Sequence, residues 1–154
     1  MTTPLMRALC AHIDSVFKGP NGDYPAILES LIGLSAEQAR WKTAPGRNSI
    51  WMLVEHLIDS KKWLIDTLER IPTNSPVWVE PTGGETEWQD SLTRLKDAHQ
   101  RLKKTIEKFS DAELFRVPNP KDGLTLLELI LSGGPAHDAH HGGQIDYLKG
   151  MQAR

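Results

Sequence analysis

Apolar residues recur every three or four positions in four long stretches of this chain, the spacing that gathers them on one face of an α-helix. The first stretch runs from about Pro4 to Phe17, with Leu5, Leu9, Ile13 and Phe17 on one stripe. A Gly- and Pro-rich segment, 18–23, then breaks it. A short helical piece follows with Ile27, Leu28, Leu31 and Ile32, and Gly33 falls where a C-cap belongs. Ser35 with Gln38 forms a capping box for one further turn, and Thr43 to Arg47 reads as a loop. The second long helix starts near Ser49 and reaches about Arg70, with Ile50, Leu53, Leu57, Leu64 and Leu68 on its inner face. Pro72, Pro76, Pro81 and Gly83-Gly84 mark a long connection.

The third helix is predicted to begin near Thr86, with Gln89 completing a capping box. Its stripe is Trp88, Leu92, Leu95, His99, Leu102, Ile106 and Phe109, a pattern that packs against other helices. Pro118 and Pro120 close the next loop. The fourth helix opens at Thr125, with Glu128 as its reciprocal cap, and reaches about Lys149. Gly133-Gly134-Pro135 interrupts it, because proline removes a backbone donor and clashes with the preceding turn. The pattern predicts a lapse in backbone hydrogen bonding between about Leu131 and Pro135, with Pro135 near the first position of a restarted helix. No strand-like alternation competes. The expected fold is all-α, a four-helix bundle spanning residues 1–154 as one domain.

Composition narrows the function classes. The chain has 154 residues, enough for one buried core, a net charge of -2 and no basic stripe of the kind nucleic acid requires. No apolar run approaches the roughly 18 residues of a membrane span, and Met1 to Pro4 lacks the charge and apolar run of a secretory leader. The single cysteine, Cys10, excludes an internal disulfide and reads as a small core residue. A cytoplasmic location without nucleic-acid or membrane partners is the expectation.

Three of the six histidines fall within His137-Asp-Ala-His140-His141. His137 and His141, four apart, lie one above the other on a helix and can aim at a single ion. A third ligand has to come from another helix, and His56, beside the stripe of the second, is the best placed. Three neutral imidazoles and an open position suit Zn²⁺ and also tolerate Ni²⁺ or Fe²⁺. From spacing alone, solvated or hydrogen-bonded histidines are the more ordinary reading. His140 points about 100° away from His141 and reads as structural or exposed. Gln144 is either a group orienting a ligand from outside or a surface amide. Asp59 either supports His56 or is solvated. His99 is a satisfied core histidine or a fourth ligand. Gly142-Gly143 fits close backbone approach to another helix or a subunit.

The segment His137-Asp-Ala-His-His141-Gly-Gly-Gln-Ile145 resembles the HxxxHxGQI signature of the DinB-like (YfiT-like) metalloenzyme superfamily. Ala44-Pro-Gly-Arg-Asn-Ser-Ile-Trp-Met-Leu-Val-Glu-His56 is similar to that family's entry into its second helix, and Leu34 to Ala39 with Trp41 is similar to the segment before it. The family usually has an aromatic residue where His140 stands. The resemblance implies an up-down-down-up four-helix bundle, often a homodimer, with His56, His137 and His141 as ligands to one divalent metal ion. It also implies a transferase that activates a low-molecular-weight thiol against a small electrophile. A metal-dependent hydrolase of a small molecule and a non-catalytic, stress-related metal-binding protein are the alternatives.

Overall fold

The structure, a computed structural model, describes residues 3–20 and 22–153; residue 21, within the predicted 18–23 break, lies outside them. The described residues form helices and no strand. Helix α1 (Pro4–Lys18) starts on Thr3, whose hydroxyl accepts from the Met6 N–H at 3.2 Å, with Pro4 in the first turn where its missing donor is harmless. Two short helices, α2 (Ile27–Leu31) and α3 (Ala36–Arg40), follow, the second carrying the expected Ser35–Gln38 box. Helix α4 (Ile50–Leu68) is capped by Ser49, which accepts from the Met52 N–H at 3.2 Å.

Helix α5 (Glu85–Ile106) begins earlier than its sequence predicts. Glu87, not Gln89, reaches back to the chain entry, accepting from the Gly84 N–H at 2.7 Å. Gln89 instead donates to Glu85, whose other oxygen accepts from the Ala36 N–H and ties α5 to α3. A four-residue helix α6 (Asp111–Leu114), capped by Ser110 and Glu113, occupies what reads in the sequence as plain connection.

The fourth segment is composite. Helix α7 (Leu126–Leu131) has the predicted Thr125–Glu128 box, a π-helical turn covers Ser132–Ala136, and α8 runs from His137 to Gln152. The expected lapse at Gly133-Gly134-Pro135 therefore takes the form of a widened turn. Pro135 lies inside that turn and not at a new first position, and Ala136 keeps right-handed helical angles, so the chain never leaves helical conformation. The turn lies against α4, with room to spare at its glycines: a Cβ on Gly133 would stand in ordinary contact, 3.5 Å from the Leu64 side chain.

Helices α4 and α5 pack along each other, α8 packs on α2 and α4, and the π-turn packs on α1 and α4. The apolar interior falls into two clusters. One holds Phe17, Leu53, Leu57, Trp88, Leu95 and Ile145, and the other holds Ile13, Leu64, Leu102, Ile106, Leu126 and Ile130. Between them, at one level of the long helices, lie Asp14, Lys61, His99 and Asp138. Gly142 serves close approach within the chain, since a Cβ there would meet Ile27 Cδ1 at 3.3 Å; Gly143 faces open space.

Candidate metal centre

His56 comes from the middle of α4, and His137 and His141 come from the first two turns of α8. One ring nitrogen from each lies within 4.8 Å of those from the other two, and among the described residues this is the group with such proximity. His137 Nε2 and His141 Nε2 are 3.1 Å apart. Two imidazole nitrogens bound to zinc at 2.0–2.1 Å and the tetrahedral angle would stand about 3.4 Å apart, so the pair is nearly at ligand spacing. The ring centroids of His56 lie 5.3 Å from His137 and 5.0 Å from His141.

The protonation states suit a cation. Burial lowers all three imidazole pKa values from the ordinary 6.5; His137 is pushed down to about 4 by burial and then by the neighbouring His141 and His56. All three are neutral at pH 7, with a lone pair to give. His141 Nδ1–H donates to Gln144 Oε1 at 2.7 Å, which fixes its tautomer and leaves Nε2 bare toward His137. His56 Nε2 lies 3.4 Å from Ser60 Oγ, and its Nδ1 is buried without a side-chain partner among the described residues. The donor set fits a divalent ion that accepts nitrogen ligands.

The residues flagged in the sequence now separate. Gln144 is a support of the cluster, since its Nε2 also donates to His140 Nε2 at 3.2 Å. His140 is exposed and outside the group of three. His99 is fully buried, stacked on Phe17 with centroids 3.8 Å apart and donating from Nε2 to Asp14 Oδ1 at 2.8 Å; its Nδ1 is without a hydrogen-bond partner among the described residues, and it lies outside the group of three. Asp59 does not touch the cluster directly. It accepts from the Val77 N–H at 2.9 Å and so anchors the α4–α5 connection. That anchor lays the Trp78 indole on the His56 ring, with centroids 4.0 Å apart and planes 10° from parallel, and 6.0 Å from His141. Sequence reasoning missed Trp78, because a residue in an aperiodic connection carries no positional signal.

The carboxylates nearest the ligands in sequence are engaged. Asp138 binds Lys61 through both oxygens at 2.6 Å, and Glu55 binds Arg94 and Ser91. An open cleft of about 380 Å³ lies on the outer face of α8; none of the three histidines lines it, and Gln144, which bonds His141, does. Its walls are Thr43, Arg47, Asn48, His140, Gly143, Gln144 and Tyr147, and Leu53 and Leu148 add apolar surface.

No solved structure matches the chain significantly. Over 135 residues it is 29% identical to a Lentilactobacillus hilgardii protein named arginine deiminase, covering 80% of this chain and 31% of that protein. The chain thus spans under a third of the length of this curated relative. A family model described as the DinB superfamily matches residues 23–145, which take in all three histidines. By that match the chain belongs to the DinB superfamily, whose members are metal-binding.

Proposed function

We propose that His56, His137 and His141 bind one divalent metal ion, with zinc the best fit, and that the protein is a metal-dependent transferase acting with a low-molecular-weight thiol on a small electrophile. The observation that carries the metal reading is the convergence of three neutral imidazole nitrogens from two helices within 4.8 Å. Three protein ligands leave a position for an exogenous group, whereas a fourth would close the site. When bound, the ion would lower the pKa of a thiol and hold it as the nucleophilic thiolate.

Transfer is preferred to hydrolysis because of what surrounds the histidines. Asp138 and Glu55 are held in ion pairs with Lys61 and Arg94, Asp59 accepts from the Val77 N–H, and among the described residues no carboxylate joins the three imidazoles where a base on a bound water would stand. A thiol stabilised as its anion needs no such base. The cleft beside α8 is of a size for a small polar molecule, and the Arg47 guanidinium and Asn48 amide suit a carboxylate-bearing one. Gln144 is common to this cleft and to His141 and would join the two. The deiminase activity of the relative is not carried over, because the match covers only 31% of that protein.

The test is a screen of glutathione-like thiols against a chromogenic electrophile, run with metal-loaded and chelator-treated protein beside thermal melts. Metal-dependent thiol conjugation by a protein that stays folded without its ion is the expected result. A melting temperature that collapses on chelation, with no metal-dependent conjugation, would make the ion a structural staple.

A further inference from the structure

Lys61 and Asp138 form an ion pair whose two side chains are each 2% exposed. Lys61 Nζ lies 2.6 Å from both carboxylate oxygens. Charges are rarely placed so deep, because desolvating two ions offsets most of their attraction. Buried pairs of this kind are frequently replaced by apolar residues without loss of stability, so stability alone does not account for this one.

Its location does account for it. Lys61 is on α4, five residues beyond His56, and Asp138 is on α8, between His137 and His141. The buried residues of α8 before Ile145 are Asp138, His141 and Gly142. No large apolar side chain anchors the two turns that carry the ligands, and the backbone before them is a widened π-turn. A slip of one residue along α8 would move each imidazole by about 1.5 Å and rotate it by about 100°. The ion pair forbids that slip. The same layer continues into the other two long helices: the Phe17 ring lies 5.1 Å from Lys61 Nζ and is stacked on His99, which holds Asp14. Lys103 and Lys18 close the layer on Asp14 from the outside.

We infer that Lys61 and Asp138 are positioning residues of the three-histidine centre, fixing the register of α8 against α4 at the level where the imidazoles converge. This rests on the proposed metal site. No hydrogen bond joins the pair to a ligand nitrogen; its bonds run between the two helices.

The experiment replaces the pair by apolar residues of similar combined volume, Lys61→Met with Asp138→Leu. Zinc affinity is measured by competition with a chromophoric chelator, alongside the visible spectrum of the cobalt-loaded protein and a thermal melt. The double variant should keep its helical content and melt no earlier than wild type, while zinc binding weakens roughly tenfold or more and the cobalt bands change in intensity. Leu102→Ala, a cavity in the far apolar cluster, is the control: it should lower the melting temperature and leave zinc affinity within about twofold. If the double variant does not fold, Asp138→Asn keeps the shape and one acceptor, and should still weaken zinc binding. A folded variant with wild-type zinc affinity and cobalt spectrum would overturn the inference. Failure of the wild-type protein itself to bind zinc would overturn the metal reading with it.

Discussion

Helix α4 and the composite α7–α8 segment both deliver imidazoles to the same point, and they are built in opposite ways. Helix α4 is one uninterrupted run of 19 residues, capped by Ser49 and buried along its length from Ile50 to Leu68. The other segment is two helices joined through a π-turn, and α8 starts without a side-chain cap. His56 is therefore placed by apolar packing. His137 and His141 are placed by polar contacts: Lys61 to Asp138, and Gln144 to His141. A rigid element fixes one side of the centre, while the other side depends on a few directional bonds. Mutations on the two elements should separate stability from ligand geometry.

The largest effect is expected on α4. Leu57 is fully buried, and Leu57→Ala should cost about 2–5 kcal/mol, read from denaturant unfolding. A loss under about 1 kcal/mol would mean that α4 is not held by packing.

Acid should act next. His137 and His99 have folded-state pKa values of about 4, below the ordinary 6.5, in each case chiefly through burial. The unfolded chain thus takes up protons first as pH falls. The contribution of these two groups is full above about 6.5 and declines between about 6.5 and 4, a loss on the order of a few kcal/mol in the metal-free protein, and below that range carboxylates held down in the fold, Asp14 and Glu55 among them, continue the loss. Hydrogen bonds from Lys103, His99 and Lys18 outweigh the opposing effect of burial and hold the Asp14 carboxyl well below the usual range, so it stays ionised throughout. Melts of metal-free protein from pH 7.5 to 4 check this, and a flat profile would contradict it.

A smaller effect belongs to Gln144. Gln144→Leu removes the acceptor that orients His141 and should weaken zinc binding about tenfold with little change in melting temperature. Equal zinc affinity would leave Gln144 as a surface amide. The smallest is Gly143→Ala, which meets nothing within 4 Å and should stabilise α8 by about 0.5–1 kcal/mol. Its methyl would project toward the cleft, so any cleft ligand should bind less well.

The same contrast explains what could be read from the sequence. The stripe and Ser49 cap of α4 are local patterns, and its predicted start and inner face agree with the structure. The His137–His141 spacing is local too, and so is the Gly-Gly-Pro interruption, although a widened turn and a restarted helix look alike in sequence. Convergence with His56 follows from no periodicity: its place beside the stripe of the second helix makes it the best candidate, and the family resemblance implies it as a ligand. Trp78 depends on an Asp59–Val77 contact across 18 residues, and Lys61–Asp138 spans 77. A signal for the latter was present: Lys61 occupies an inner-face position between Leu57 and Leu64, where a charge requires a buried partner. The α5 start differs from its sequence expectation because Thr86–Gln89 and Gly84–Glu87 both have the spacing of a cap, and the Glu85–Ala36 contact that favours the earlier one is long-range.

Metal content per chain tests the central claim most directly. Protein purified without a histidine tag or nickel column, then titrated with limiting zinc, should hold one ion per chain. His56→Ala, His137→Ala and His141→Ala should each lose it, and His140→Ala should retain it. Full stoichiometry in any of the first three, or none in the wild-type protein, would contradict the account.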